Sequence, residues 1–423
     1  MRARIWATAA AICALGTAIG TGASASAGHL RPHDATSSCA IPDDPAPRDP
    51  ANPLDLPTVP PPGQPLAGAH FFVDGPRHGQ AAGAIAQMLG MNPMTFPDSF
   101  SWASFKQSHE PQFTAAAKLL AKIADQEETQ NISLYAQGGG PGAIFAQTQK
   151  ILCQNAAADP TQPTVPVLST FFIYPNGQFC PKLGQIRAWQ GTFKRDVNEM
   201  ASAISWKRVV ILEEIDSIGT SSCLRGKALK LWLHDLRWES QRFSQLSHAV
   251  VYAEAGYSDA QGPAWTAKRL WRAGVNQVEG FYTNGTHFAW SSDEIRWGEN
   301  VSDNLFALSH HHYRAHFVVN TAQNGRGPKL NPHPVQQGIE NLCNPPERGL
   351  GRMPTGNVNP TFDGHTFKWL DGFLWTGVPG RSHNSNCPGG PWQPAGVFDP
   401  RFAQELAQNA NQRLGPGFPS EPY

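Results

Sequence analysis

The stretch Val209-Val210-Ile211-Leu212-Glu213-Glu214-Ile215-Asp216-Ser217-Ile218 is an apolar run that ends among acidic residues. Five of its first seven residues are apolar, which is typical of a buried strand. Side chains alternate along a strand, so Leu212, Glu214 and Asp216 are expected to share one face. Two carboxyl groups on that face repel each other as anions, which raises the pKa of the better-buried one. A general acid working near neutral pH needs such a carboxyl group.

A structural alternative explains the same acidic residues without catalysis. Glu213 and Glu214 would form salt bridges at the end of the strand, and Asp216 would cap the next helix. The stretch by itself leaves both interpretations open.

The composition narrows the class of partner. The chain has 423 residues with 33 basic and 33 acidic side chains, so no net charge attracts a nucleic acid. It is rich in Gly (40), Pro (37) and Trp (13), which fits a loop-rich protein that binds sugars. We therefore predict a polysaccharide partner and no nucleic-acid partner, and nothing in the sequence indicates a cofactor.

The amino-terminal residues are typical of a secreted protein. Met1 to Ala27 has a basic start, a short apolar run and small residues at its end, which predicts a signal peptide. No later stretch is long enough to span a membrane. We divide the chain into a signal peptide (1–27), a poorly ordered Pro-rich lead-in (28–66) and one folded domain (67–423). We expect the mature protein to be extracellular and monomeric and to have no membrane partner.

The cysteines predict disulfides and no metal site. Cys13 lies in the predicted signal peptide, which leaves an even number in the mature chain: Cys39, Cys153, Cys180, Cys223, Cys343 and Cys387. The number indicates three disulfides without giving their connectivity. No Cys-x-x-Cys spacing suggests zinc. His310-His311-His312 is not expected to bind metal, because three consecutive side chains of a regular element cannot face one ion.

Strand-like and helix-like segments alternate from about Gly68 onward. The clearest helices are Leu224–Leu246 and Thr266–Ala273. The candidate strands are Val167–Ile173, Val209–Ile215, Ala249–Ala253, Gln277–Phe281, His316–Asn320 and Phe373–Trp375, with an earlier one near Ile132–Tyr135. Such repeated units predict parallel strands that form an α/β barrel, with its site at the carboxyl ends of the strands.

Seven segments within residues 68–410 form a further pattern in their order and spacing: Val209–Ile218, Tyr252–Tyr257, Arg272–Val275, Gly280–Asn284, His316–Thr321, Cys343–Gly351 and Asp371–Gly380. Together they resemble glycoside hydrolase family 6, the secreted cellobiohydrolases and endoglucanases. The resemblance implies a distorted parallel β/α (TIM-like) barrel with about seven strands. It also implies hydrolysis of β-1,4-glucosidic bonds with inversion at the anomeric carbon.

The resemblance assigns roles to individual residues. Asp216 stands where the family has its general acid, and Glu214 matches the acid two positions earlier. The family's disulfides imply pairing Cys180 with Cys223 and Cys343 with Cys387, which leaves Cys39 for Cys153.

Other positions depart from the family pattern. No carboxylate precedes Cys180, although the family has an aspartate there that tunes the acid. The remaining departures are Tyr257 for histidine, Ala260 and Leu342 for tryptophan, Asn320 for aspartate, Gln323 for arginine, and Gly377, Arg381 and His383 for lysine, glutamate and the proposed base. Losing several carboxylates and aromatic platforms should change what binds, and Trp265, Trp290, Trp297 and Trp392 are candidate replacements.

The catalytic base is therefore open between two residues. Glu254 ends the neighbouring strand at a family aspartate position, and His383 occupies the place of the usual base, where a neutral imidazole accepts a proton near pH 7. The predicted substrate-binding residues are Glu214, Tyr257, Asn284, Asn320, Trp375 and Arg381. We predict an inverting glycoside hydrolase with Asp216 as acid, acting on a β-1,4-glucan or another polysaccharide. The alternative is a carbohydrate-binding protein that keeps the barrel without the reaction.

Overall fold

Seven parallel strands form one curled sheet. A computed structural model describes residues 49–133, 139–158, 164–329, 344–358, 361–362, 365–382 and 396–418. The strands of the sheet are β1 (Gln130–Ile132), β2 (Val167–Thr170), β3 (Val209–Glu213), β4 (Ala249–Glu254), β5 (Gly280–Thr283), β6 (His316–Asn320) and β9 (Leu370–Leu374). A short antiparallel hairpin, β7 (Thr361–Phe362) and β8 (His365–Thr366), precedes the last of them.

The strands follow chain order across the sheet, β1-β2-β3-β4-β5-β6-β9. Every pairing is parallel, with Val209 opposite Ala249 and Glu213 opposite Ala253 at the centre. The hydroxyl of Thr129, just before β1, donates to the Trp375 carbonyl just after β9 (2.6 Å). The two outermost strands are thus brought together, and the architecture is the predicted distorted parallel barrel.

Helices cover the outside of the sheet and fill the connections. They are α1 (Gln80–Met88), α2 (Trp102–His109), α3 (Ala115–Ala124), α4 (Ala143–Ala158), α5 (Leu183–Ile204), α6 (Ser217–Thr220), α7 (Gly226–Phe243), α8 (Pro263–Ala273), α9 (Ser291–Leu308) and α10 (Pro400–Gln408). The predicted helix at 224–246 is α7, whose Trp232, Leu233 and Leu236 are buried against the sheet. In the part of the chain that the structure describes, none of the helices combines the length and apolar character that crossing a membrane requires.

The central strand is shorter than predicted. We expected strand structure up to Ile215, but β3 ends at Glu213, and Glu214 has a left-handed backbone (φ 44°). The alternation that would have placed Glu214 and Asp216 on the face of Leu212 therefore stops at the end of β3. The strand predicted at 277–281 is also displaced, because a 3₁₀ turn occupies Val275–Gln277 and β5 begins at Gly280.

Residues before the predicted domain boundary belong to the barrel. We expected residues 28–66 to form a poorly ordered lead-in, yet Leu54, Leu56 and Leu66 are buried in the barrel interior. They pack there with inward-facing residues of the strands: Val210, Leu212, Val250, Tyr252, Tyr282, Val318 and Leu374. The Arg208 guanidinium fixes the segment by donating to the Leu54 and Asp55 carbonyls (both 2.8 Å). Burial of these three leucines corrects the boundary, because within the described residues 49–66 they are part of the barrel core.

Candidate active site

Asp216 lies in a tight turn beyond the carboxyl end of β3. Its backbone is left-handed (φ 64°), as is that of Glu214 two residues earlier. Non-glycine residues rarely adopt this conformation, and they keep it only where surrounding contacts hold them. Asp216 occupies the N-cap position of α6 but makes no side-chain capping hydrogen bond. The structure thus contradicts the alternative in which Asp216 is only a helix cap.

The carboxyl group of Asp216 faces the loop after β5. The Thr286 hydroxyl donates to its Oδ1 (3.1 Å). Burial raises the pKa of Asp216 above its usual value, while the charge of His287 and the Thr286 hydrogen bond lower it. These opposing influences suit a carboxyl group that must be protonated before the reaction and ionised after it.

Glu214 is fully buried and bonded to the backbone. Its carboxylate accepts hydrogen bonds from the Phe172 amide (2.8 and 3.0 Å) and the Ile173 amide (3.1 Å), in the loop after β2. Its own amide donates to the Thr170 hydroxyl (2.9 Å). Burial raises the pKa of Glu214 to about 7, although these hydrogen bonds favour its ionised form. Glu214 therefore supports the turn. Its carboxylate is buried against backbone amides, where it does not face a substrate as predicted.

Among the described residues, Glu213 has no basic partner for the salt bridge that the structural alternative required. It points to the helical side of the sheet and accepts a hydrogen bond from the Ser240 hydroxyl (2.7 Å). Burial raises its pKa to about 8. Neighbouring Glu239 accepts from the Thr170 hydroxyl (2.9 Å), so a group of buried carboxyls lies behind the turn.

Glu254 lies beneath the turn of Asp216. It is 2% exposed, and its carboxylate accepts from the Ile218 amide at the start of α6 (2.7 Å). Burial and the charge of Asp216 raise the pKa of Glu254 to about 8. The structure holds Glu254 as a buried carboxyl group beneath the turn of Asp216. Its role as the base stays a prediction.

Tyr257 belongs to a chain of polar contacts that leads to Asp216. Its hydroxyl is 2.9 Å from the Thr286 hydroxyl, and its ring stacks on the His287 imidazole with centroids 3.6 Å apart. His287 Nδ1 lies 2.9 Å from an Asp259 carboxylate oxygen. Because the Thr286 proton is used on Asp216, the Tyr257 hydroxyl donates to Thr286.

Two predicted sugar ligands are bonded to each other. Asn284 and Asn320 are both buried, and each side-chain amide donates to the other's main-chain carbonyl (3.1 and 2.7 Å). The Asn320 side-chain oxygen also accepts from the Thr376 amide (3.0 Å). These bonds join the ends of β5, β6 and β9, so both residues shape the site from below.

Trp375 is a core residue. It is 0% exposed, packs among residues of α1, α3 and α10, and donates from Nε1 to the Arg352 carbonyl (3.0 Å). The prediction that its ring contacts substrate is therefore wrong, because both of its faces are covered. Of the candidate replacement platforms, Trp297 is also buried, and its Nε1 donates to the Gln261 carbonyl (2.7 Å).

Arg381 lies beside a separate group of buried acids. Its guanidinium is half-buried and donates a hydrogen bond to the Gln80 side chain. Burial lowers the pKa of Arg381, and the charge of Glu128 raises it. Glu128 accepts from the Gln80 and Ala81 amides at the start of α1 (2.9 and 3.2 Å). The described contacts thus pair Arg381 with the amino-terminal helices. His383 and Trp392 lie outside the described residues.

A predicted disulfide joins the two loops that flank the acid. Cys180, after β2, is bonded to Cys223, after α6. Cys153 is also disulfide-bonded, while its expected partner Cys39 lies outside the described residues, as do Cys343 and Cys387.

One group among the described residues has the composition of a metal site. Glu279, His316 and Asp371 offer ligand atoms within 4.8 Å of one another at the amino ends of the strands, far from Asp216. Both Asp371 oxygens already have partners, His316 Nδ1 at 2.7 Å and the Tyr252 hydroxyl at 2.6 Å. We assign no ion to this group, because hydrogen bonds within the protein satisfy the buried carboxylate.

Sequence reasoning missed Thr286, His287 and Asp259. The first lies in the segment Asn284-Gly285-Thr286, which also fits a glycosylation sequon, and the signal for all three was their position in loops after β4 and β5. In a parallel barrel such loops surround the site.

Comparison with known proteins agrees with this architecture. The model of the family "Glycosyl hydrolases family 6" matches residues 189–410, a little over half of the chain. Endoglucanase 1 of a Streptomyces species is 29% identical over 67% of this chain and 71% of its own, and Endoglucanase 1 of Streptomyces halstedii is 27% identical over 57% and 68%.

Solved structures are similar in fold. An endoglucanase from Mycobacterium tuberculosis, solved with a thio-linked cellobioside, has a TM-score of 0.62 and 23% identity, covering 82% of this chain and 99% of its own. An endoglucanase from Humicola insolens has a TM-score of 0.60 and 16% identity, covering 82% and 99%. On the match of the family model, the chain belongs to glycosyl hydrolase family 6 and is an O-glycosyl hydrolase.

Proposed function

We propose that the protein is a secreted enzyme that cleaves a β-1,4-glucan with inversion, using Asp216 as the general acid. The observation that carries the proposal is the strained turn after β3, which presents one half-buried carboxyl group beside the Thr286 hydroxyl. Burial raises the Asp216 pKa, so the group holds its proton nearer to neutral pH. The curated relatives are endoglucanases, which favours a glucan over other polymers.

We propose His383 as the base, with Glu254 as the second candidate. An inverting enzyme needs a base about 6.5–9.5 Å from the acid, with a water molecule between them. Glu254 is enclosed and bonded to the Ile218 amide, which favours a supporting role. His383 follows Arg381 in the sequence, and the preceding strand β9 is parallel to the others, so its carboxyl end lies on the same side of the barrel as that of β3.

Secretion is part of the same proposal. The Cys180–Cys223 bond supports it, because disulfides persist mainly in oxidising compartments. Sequencing the amino terminus of the protein recovered from culture medium tests the predicted cleavage after Ala27.

The test of the reaction is Asp216→Asn beside the native protein and Asp293→Asn. Asp293 lies on α9 in an exposed ion pair with Arg296, so its substitution controls for a lost charge. Each protein is incubated with cellulose, mixed-linkage glucan, xylan, mannan, arabinan and galactan, and new reducing ends are measured. We expect release from a glucan by the native protein and the control, and a loss of at least about 100-fold in Asp216→Asn.

Two results would overturn the assignment. Undiminished release by Asp216→Asn would mean that another residue is the acid. No release from any polymer, with retention on one of them, would favour the carbohydrate-binding alternative. The configuration of the first product, read by proton NMR, tests inversion.

A further inference from the structure

A polar chain from two loops reaches the carboxyl group of Asp216. From the β5–α9 loop, Thr286 donates to Asp216 Oδ1 (3.1 Å). From the β4–α8 loop, the Tyr257 hydroxyl lies 2.9 Å from the Thr286 hydroxyl. In the same loop, the two carboxylate oxygens of Asp259 lie 2.9 and 3.1 Å from His287 Nδ1. Both loops follow barrel strands and open on the side of the acid.

His287 is fixed in place by two different contacts. Its ring lies parallel to Tyr257, with an interplanar angle of 10° and centroids 3.6 Å apart. Its side chain is 12% exposed and that of Asp259 is 18% exposed, so their ion pair is screened less than a surface pair. When it is protonated, the imidazole forms an ion pair with the Asp259 carboxylate, and its positive charge lowers the pKa of Asp216.

The other ionisable groups near Asp216 are carboxyl groups and phenols, whose negative charge would oppose the ionisation of Asp216, whereas a positive charge favours it. Glu254 lies below Asp216, and burial together with the charge of Asp216 raises the pKa of Glu254 to about 8. The phenols of Tyr174 and Tyr282 are buried nearby and stay neutral, because burial and the surrounding carboxylates raise their pKa values. On the side of His287, Asp259 also faces buried Glu294, whose pKa burial raises to about 8. The charge of His287 lowers the pKa of Asp216 and so favours its anion.

We propose that His287, oriented by Asp259 and stacked on Tyr257, is a positioning residue that stabilises the Asp216 anion as the acid gives its proton to the leaving oxygen. The inference rests on the proposed function of Asp216. No carboxylate precedes Cys180 in this chain, and the partners that it has instead act with the opposite sign: the cation and the hydroxyl lower the pKa of Asp216, whereas a carboxylate would raise it. Thr286 completes the arrangement, because its hydroxyl fixes Oδ1 and leaves Oδ2 to carry the proton.

The experiment measures kcat and KM against pH on a soluble β-1,4-glucan. His287→Asn removes the charge and keeps a polar side chain, and Asp259→Asn removes its orienting partner. We expect His287→Asn to move the alkaline limb of kcat/KM to a pH roughly 0.5–1 higher and to lower kcat on the acidic side several-fold. KM should stay within about twofold. Asp259→Asn should change the profile in the same direction by less.

A matched pair at Thr286 separates the hydrogen bond from packing. Thr286→Val keeps the shape and loses the hydroxyl, so the alkaline limb should again move upward, whereas Thr286→Ser should restore the native profile. A uniform drop in kcat at every pH, or a rise in KM alone, would overturn the proposal and make His287 a structural or sugar-contacting residue.

A second measurement does not depend on turnover. The carbon-13 carboxyl signal of Asp216, assigned by its absence in Asp216→Asn, is titrated in the native protein and in His287→Asn. We expect a higher titration midpoint in the variant. Equal midpoints would overturn the proposal even if the protein hydrolyses glucans. A shifted midpoint in a protein that cleaves no polymer would uphold the coupling and refute only the proposed function.

Discussion

Thr170 is the residue on which the geometry of the acid turn depends most directly. Its hydroxyl accepts from the Glu214 amide and donates to the Glu239 carboxyl, both at 2.9 Å, and the side chain is completely buried. Glu214 has a left-handed backbone and directly precedes the Ile215-Asp216 pair. One hydroxyl therefore links the strained turn to the buried acids behind the sheet.

We predict that Thr170→Val lowers the free energy of unfolding by about 1–3 kcal/mol, because it leaves a buried amide and a buried carboxyl without a partner. Activity should fall as well, since the turn that presents Asp216 loses its anchor. Urea unfolding measures the stability. Thr170→Ser is the control, because it keeps the hydroxyl and should retain most of the activity. A valine variant as stable as the native protein would contradict this account.

Individual site residues were only partly predictable from the sequence. Glu254 ends β4 and Asp216 lies just beyond β3, so both stand at the carboxyl ends of neighbouring strands, which the periodicity of the sequence indicates. The orientation of Glu214 could not be read in this way, because the strand ends one residue before it and its backbone is left-handed. Trp375 was wrongly predicted to bind substrate. The sequence shows only a tryptophan at the end of a strand and does not reveal whether its ring faces a sugar or packs against α1, α3 and α10, as it does here.

At the scale of elements, the loops after β2 and α6 act as one unit around the acid. The Cys180–Cys223 bond closes a separation of 43 residues, and the Tyr174 hydroxyl in the loop after β2 donates to the Ile215 carbonyl (2.7 Å) in the turn that carries Asp216. The parallel strands themselves were predictable, because each is a short apolar run at a regular interval. Their ends were not, because turns such as Val275–Gln277 depend on tertiary contacts.

Replacing both Cys180 and Cys223 with serine should destabilise the protein by up to about 4 kcal/mol, the loop-closure entropy of a segment of this length. The melting temperature should fall, and activity should fall more steeply on heating than in the native protein. Calorimetry of the double variant isolates this bond, whereas a reducing agent would also act on Cys153. An unchanged melting temperature would show that hydrogen bonds alone hold these loops.

At the scale of the whole molecule, a segment that precedes the first strand in the chain supplies part of the barrel core. Leu54, Leu56 and Leu66 fill the interior below the inward-facing residues of the strands. The sequence did not reveal this, because a Pro-rich segment without periodicity carries no signal of burial. It becomes buried because a barrel interior left open at one end would expose Val210 and Val250 to water.

Burial of carboxyl groups throughout the molecule predicts how its stability depends on pH. Burial raises the pKa to about 8 for Glu127, Glu213, Glu254 and Glu294, and to about 6 for Asp196 and Asp371. Between about pH 4.5 and 8 the folded protein therefore holds protons that the unfolded chain has released. The free energy of unfolding must fall as the pH rises through this window. Burial lowers the pKa of His78, which makes the free energy of unfolding rise with pH near that pKa. This single histidine opposes the larger effect of the buried carboxyl groups.

We expect the melting temperature to be at least about 5 °C lower at pH 8 than at pH 5, measured by calorimetry in overlapping buffers. Glu127→Gln is the matched variant, because the amide resembles the neutral carboxyl in shape and does not ionise. Its decrease between the two pH values should be smaller than that of the native protein, because Glu127 no longer has to hold its proton against the rising pH. A melting temperature that rises from pH 5 to pH 8 would show that the buried carboxyls ionise without cost, and that the polar groups around them compensate for burial.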